Sequence, residues 1–111
     1  MSKSIQFQDR IDKTTMLVLD DPDDLAYPND LVINYPKIVI HYDYPLDIDA
    51  EFPYRNPSGF TRLSLFMCIL DGYQTIYEHP EKYGVWGHGL DDLFLEGAVV
   101  NGDQVELQIG S

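Results

Sequence analysis

The sequence predicts an α+β domain, an antiparallel sheet of four or five strands with one main helix packed on one face. Three observations predict it. Residues 61–78 carry apolar side chains at helical spacing, residues 93–110 alternate on both sides of Asn101-Gly102, and residues 37–44 alternate between the two faces of a strand. Helical and strand patterns segregated along the chain, rather than alternating as βαβ units, point to α+β layering. At 111 residues the chain is sized for one hydrophobic core and reads as a single domain over 1–111.

In chain order, residues 1–14 are polar with Ile5, Phe7 and Ile11 as scattered apolar anchors. Ile5 and Phe7 alternate with Ser4, Gln6 and Gln8, which predicts a short edge strand. Met16 to Leu19 is an apolar run read as a strand over 15–20, stopped by Asp20-Asp21-Pro22-Asp23-Asp24. Pro and Asp both disfavour strand continuation, so this is an acidic loop. It lacks the DxDxDG spacing and distal Glu of a calcium-binding EF-hand and reads as a solvated turn. Residues 25–36, with Pro28 and Pro36 around Leu31, Val32, Ile33 and Tyr35, form an extended connection or short strand.

Residues 37–44 put Ile38, Ile40, Tyr42 and Tyr44 on one face and Val39, His41 and Asp43 on the other, the pattern of a strand with one buried face. Pro45 ends it. Residues 46–59, with Pro53 and Pro57, read as a long irregular connection closing on Asn56-Pro57-Ser58-Gly59, a strong turn signal.

The helix opens at Thr61, whose hydroxyl is placed to accept from a first-turn N–H, with Phe60 before it to staple onto Leu65. Leu63, Phe66, Met67, Leu70, Tyr73 and Tyr77 make an apolar stripe, widened by Ile69 and Ile76. Ser64, Cys68, Asp71, Thr75 and Glu78 make the polar face. Burying the stripe is worth on the order of 10–20 kcal/mol before conformational entropy is subtracted. Gly72 in a helix interior costs about 1 kcal/mol relative to Ala and signals close packing. Pro80 sets the helix end at Glu78 or His79. The hairpin follows: Leu93, Leu95, Gly97 and Val99 on one face, Phe94, Glu96, Ala98 and Val100 on the other, then the Asn101-Gly102 turn and the returning Val105, Leu107 and Ile109.

Nineteen acidic against seven basic residues give a net charge of -12. Such a surface repels phosphate backbones and anionic lipids, so direct nucleic-acid or membrane binding is not expected, while a basic partner, a cation or plain solubility is. The single Cys68 excludes an intramolecular disulfide and a cysteine-based zinc site. With no apolar signal region near residue 1 and no run of the ~18 apolar residues a membrane span needs, the expectation is a soluble, cytoplasmic protein.

For chemistry, Tyr83-Gly84-Val85-Trp86-Gly87-His88-Gly89 stands out: three glycines among bulky aromatics and a histidine mark a path where backbone passes closely. Tyr83, Trp86, His88 and the nearby Asp91 are the candidate binding residues. Trp86 and Tyr83 would form a stacking wall, with His88 as base or ligand; the structural alternative makes Trp86 a plug over the core and His88 a hydrogen-bonding residue. His41, Asp43, His88, Asp91 and Asp92 are metal-capable types, but their spacing is that of no established site, so no metal set is assigned. The glycines match neither GxGxxG nor a P-loop, and Cys68 has no histidine near it in sequence. No catalytic residue is assigned, and the sequence names no cofactor.

The phrase formed by Tyr77-Glu78, then Tyr83 to His88, then Asp91-Asp92-Leu93-Phe94-Leu95-Glu96-Gly97 resembles one in a group of short uncharacterised proteins from large DNA viruses and protists. The resemblance runs from Phe60 to Gly97. It implies a viral or host-cytoplasmic setting and carries no activity. The expected function is a non-enzymatic protein-interaction or structural module, self-associating or with a protein partner, since Tyr is favoured at interfaces. A small-molecule or metal-binding domain or hydrolase using the Tyr83–His88 loop is the alternative, and an acidic mimic of DNA the third reading.

Overall fold

The computed structural model describes residues 2–7, 17–18, 25 and 27–110. The acidic run 20–24, Ile11 and the ends of the strand expected at 15–20 lie outside them. The described chain is α+β, a mixed sheet with a two-stranded sheet beside it and one main helix against them.

The main sheet has the strand order β1 (Ser2–Gln6), β7 (Phe94–Asn101), β8 (Gln104–Gly110), β4 (Lys37–Tyr42), β5 (Ala50–Arg55), with β2 (Leu17–Val18) alongside β7 on the β1 side. The short sheet pairs β3 (Leu31–Ile33) with β6 (Phe60–Thr61). Both hairpins are antiparallel, as their turns require. Where they meet, β4 and β8 run parallel, with Val39 opposite Gln104 and His41 opposite Glu106. The sheet is therefore mixed rather than wholly antiparallel: turn chemistry dictates orientation within a hairpin, whereas two hairpins separated by a helix can join either way.

Residues 50–55 correct the reading of 46–59 as irregular. Ala50, Phe52 and Tyr54 turn inward while Glu51, Pro53 and Arg55 are exposed, a strand alternation that Pro53 disguised. Val39, opposite Pro53, sends its N–H the other way, to the Asp103 carbonyl at 2.8 Å. The Val39–Pro53 pair is thus a non-hydrogen-bonded one, and the proline nitrogen faces the side of β5 that no described strand pairs, where no donor is needed.

The helix α1 (Arg62–Glu78) begins where Thr61 predicts, its hydroxyl accepting from the Ser64 N–H at 3.1 Å. It ends at Glu78, and Pro80 opens the single-turn α2 (Pro80–Tyr83). Arg62 ties this start to the N-terminal strand: its Nε donates to the Gln6 carbonyl at 2.7 Å and its Nη1 to the Tyr27 carbonyl at 2.9 Å. The buried face is Leu65, Phe66, Ile69, Leu70, Gly72, Tyr73 and Ile76. It is rotated from the expected stripe, leaving Met67 46% exposed and Leu63 and Tyr77 half-buried. What sets the rotation is Gly72, which seats the Tyr42 ring of β4. A Cβ there would clash with the hydroxyl and Cζ of Tyr42 and lie 2.8 Å from Cε1. That hydroxyl donates to the carbonyls of Ile69 at 3.0 Å and Cys68 at 3.3 Å.

The hairpin carries a second correction. Leu95 pairs with Ile109 and Gly97 with Gln108, so Glu96 is an extra residue, a β-bulge. Beyond it the phase reverses. Ala98 and Val100 face the core, not Val99.

Candidate functional site

The aromatic loop is held by backbone before side chains enter. Gly84 caps α2 in the left-handed region (φ 66), its N–H returning to the Pro80 carbonyl. A Cβ at Gly84 would sit 2.6 Å from the Cβ of Asp47, so the position needs glycine twice over. The segment after it lies antiparallel to residues 45–48. The Trp86 N–H donates to the Pro45 carbonyl (3.1 Å), and those of Asp47 and Ile48 donate to the Gly84 (3.0 Å) and Tyr83 (3.2 Å) carbonyls. Leu46 and Val85 face each other across this short ladder, with Leu46 buried. A tight turn at Gly87 follows, in which the His88 N–H donates to the Trp86 carbonyl at 3.0 Å.

This ladder brings Trp86 and His88 onto Tyr44, which follows β4 and precedes Pro45 across a cis peptide bond. The Trp86 ring stands at 87° to that of Tyr44, centroids 5.5 Å apart, and His88 lies 5.9 Å from Tyr44 and 6.2 Å from Trp86. Two tyrosines of α1 brace the cluster from below. Tyr73 donates its hydroxyl to the Tyr44 carbonyl at 2.6 Å, and Tyr77 donates to the His88 carbonyl at 3.0 Å. Tyr73 itself stands edge-on to Tyr42 at 4.8 Å. Burial raises both phenols above the usual tyrosine range. Tyr77 and then Asp43 add to the effect on Tyr73, and Tyr44 and then Asp92 to that on Tyr77.

Trp86 is not the core plug that the structural alternative expects: it is 48% exposed. Ile48, whose N–H meets the Tyr83 carbonyl, is 58% exposed. Tyr83 is half-buried, edge-on to Phe52 at 6.4 Å, and carries the Lys82 ammonium over its ring at 5.3 Å. Asp91 is exposed in the 3-10 turn Leu90–Asp92. The structure thus gathers Trp86 and His88 directly and sets Tyr83 beside them through the ladder. Tyr44, Ile48 and Tyr73 are the members that sequence reasoning missed.

The metal-capable residues divide. His41 lies on the sheet between Glu51, whose carboxylate is 3.3 Å from Nδ1, and the Gln104 amide oxygen at Nε2, whereas His88 belongs to the aromatic cluster. Among the described residues no group of three or more His, Cys, Asp or Glu side chains is gathered as a metal ion requires. Cys68 is half-buried, its thiol pushed up to about 11 by burial and then by Asp71, which leaves it protonated and unreactive near neutrality. A cleft of about 210 Å³ beside His41 is lined by Asp43, Asp49 and Glu106, and a shallower one of about 440 Å³ by Tyr35, Lys37 and Asp103. Trp86 and His88 line neither. No helix among the described residues is long and apolar enough to cross a membrane.

No family model, curated protein or solved structure matches the chain.

Proposed function

We propose that this protein is a non-enzymatic protein-interaction module whose contact surface is centred on Trp86. The observation that carries the reading is a half-exposed tryptophan on a rigid support: Trp86 is 48% exposed, yet its backbone is hydrogen-bonded to Pro45 and its ring is set against Tyr44. Exposing a large aromatic loses the burial that would otherwise stabilise the fold by ~1.5–3 kcal/mol, so a fixed exposed one calls for another use. Trp and Tyr anchored in this way are the residue types on which interfaces concentrate their binding energy. Trp86 and His88 line neither of the clefts described above, and an exposed aromatic outside a cleft suits a macromolecular surface better than a small molecule.

The test is site-specific photo-crosslinking in the native host. A photoreactive phenylalanine analogue at position 86 is expected to yield one dominant protein adduct, and the same analogue at exposed Gln74 of α1 none. Equal, diffuse labelling from both positions would count against the reading.

A further inference from the structure

We infer that the partner presents a basic segment, with an arginine or lysine side chain stacked on Trp86 and the carboxylates around it receiving the charge. This rests on the interaction reading above and names the chemistry of its partner. The segments on either side of the ladder, residues 43–49 and 83–92, contain Asp43, Asp47, Asp49, Asp91 and Asp92 and no lysine or arginine, and Lys82 just before them lies over Tyr83. The bias is local, beyond the net charge of -12. Asp47 is fixed against Gly84, two residues from Trp86, and Asp43 and Asp92 act on the tyrosines beneath the cluster.

An exposed aromatic on an acidic stretch of surface attracts a cation twice, through the ring quadrupole and through charge. The molecule already makes such a contact next door, where the Lys82 ammonium sits over Tyr83 at 5.3 Å. The Trp86 face offers the same chemistry outward, and exposed Ile48 adds apolar area for an aliphatic neighbour of the basic residue. A guanidinium fits best, because it stacks flat on an indole while its N–H groups stay free to meet carboxylates.

Trp86 is the only tryptophan, so its fluorescence reports this surface alone. A capped peptide of alternating arginine and leucine, titrated into the intact protein, is expected to shift that emission saturably; the same peptide with glutamate for arginine is expected to leave it unchanged. By calorimetry, Trp86→Ala and, separately, the combined Asp43→Asn, Asp47→Asn, Asp49→Asn variant are each expected to weaken binding roughly tenfold or more, the range of interface anchors. The second variant alters only exposed side chains and keeps the test valid if the first perturbs folding. Binding of the arginine peptide with unchanged affinity in both variants would mean diffuse attraction to an acidic surface and would overturn the inference. So would a dimer in sedimentation that Trp86→Ala dissociates, since the occupant would then be a second copy. If neither peptide binds while crosslinking at position 86 still yields its single adduct, the basic-partner inference fails and the interaction reading stands.

Discussion

Replacing Gly72 by alanine sets two effects of opposite sign against each other, and the structure decides between them. In an exposed helix interior the change would stabilise by about 1 kcal/mol. Here the new methyl would collide with the Tyr42 hydroxyl and press on a ring that is fully buried between α1, Phe52 and Tyr73. Moving the ring strains a packed core by ~1–3 kcal/mol and pulls a buried hydroxyl off the Ile69 and Cys68 carbonyls, which costs about 1–3 kcal/mol more. The balance is a net loss of about 3 kcal/mol, or roughly 10–15 °C in Tm for a domain of this size. Urea unfolding of the single variant and of Gly72→Ala in a Tyr42→Phe background measures it. Removing the hydroxyl takes away the closest clash, so the double variant is expected to recover about 1 kcal/mol of coupling. A Gly72→Ala protein as stable as the parent, or more stable, would refute the claim that this glycine exists to seat Tyr42.

Tyr73→Phe removes the hydroxyl that holds the Tyr44 carbonyl and is expected to cost about 1 kcal/mol, with a change in Trp86 emission showing that the cluster has loosened. Alkaline titration is expected to be incomplete in the folded protein. Four of the eight tyrosines, Tyr42, Tyr54, Tyr73 and Tyr77, are raised by burial and then by their neighbours, so their phenolate absorbance should develop only on unfolding. Because their folded values lie above the unfolded one, the stability they contribute is complete below about pH 10 and is lost as the pH rises beyond it. Pro53→Val restores a donor on the side of β5 that no described strand pairs and is expected to cause concentration-dependent association by light scattering, with little change in monomer stability.

What could be read from the sequence was whatever local chemistry decides. Thr61 as cap, Pro80 as stop, Asn101-Gly102 as turn and the alternation of 37–42 each depend on a few adjacent residues, and each stands in the structure. The departures all have non-local causes. Pro53 looks like a breaker unless one knows that its nitrogen faces away from β4, where no described strand pairs; Glu96 bulges because the register on β8 requires it; the helix rotates because a tyrosine thirty residues earlier fits against Gly72. At the site, the cluster of glycine and aromatics at 83–88 was conspicuous, but its partner Tyr44 was hidden by being counted in the strand's buried phase. Tyr44 lies past the last paired residue of β4, where that phase no longer applies. The abundance of tyrosine was ambiguous for a related reason. Tyr42 and Tyr73 are wholly buried while Tyr27 and Tyr35 are exposed, and composition does not distinguish them.

The parallel contact of β4 with β8 also bears on how the chain is made. Each hairpin forms from neighbours in sequence, but the described pairings join the two only through Val39–His41 and Gln104–Glu106, more than sixty residues apart. On a ribosome, β4 and β5 emerge well before β8, and β4 waits for its β8 partner until more than sixty further residues are made. Such late, long-range closure is slow and exposes strand edges meanwhile. Nascent chains that stop before β8 would therefore carry α1 and one hairpin without the strand that joins the halves, and seven-residue β8 determines whether the two halves become one protein.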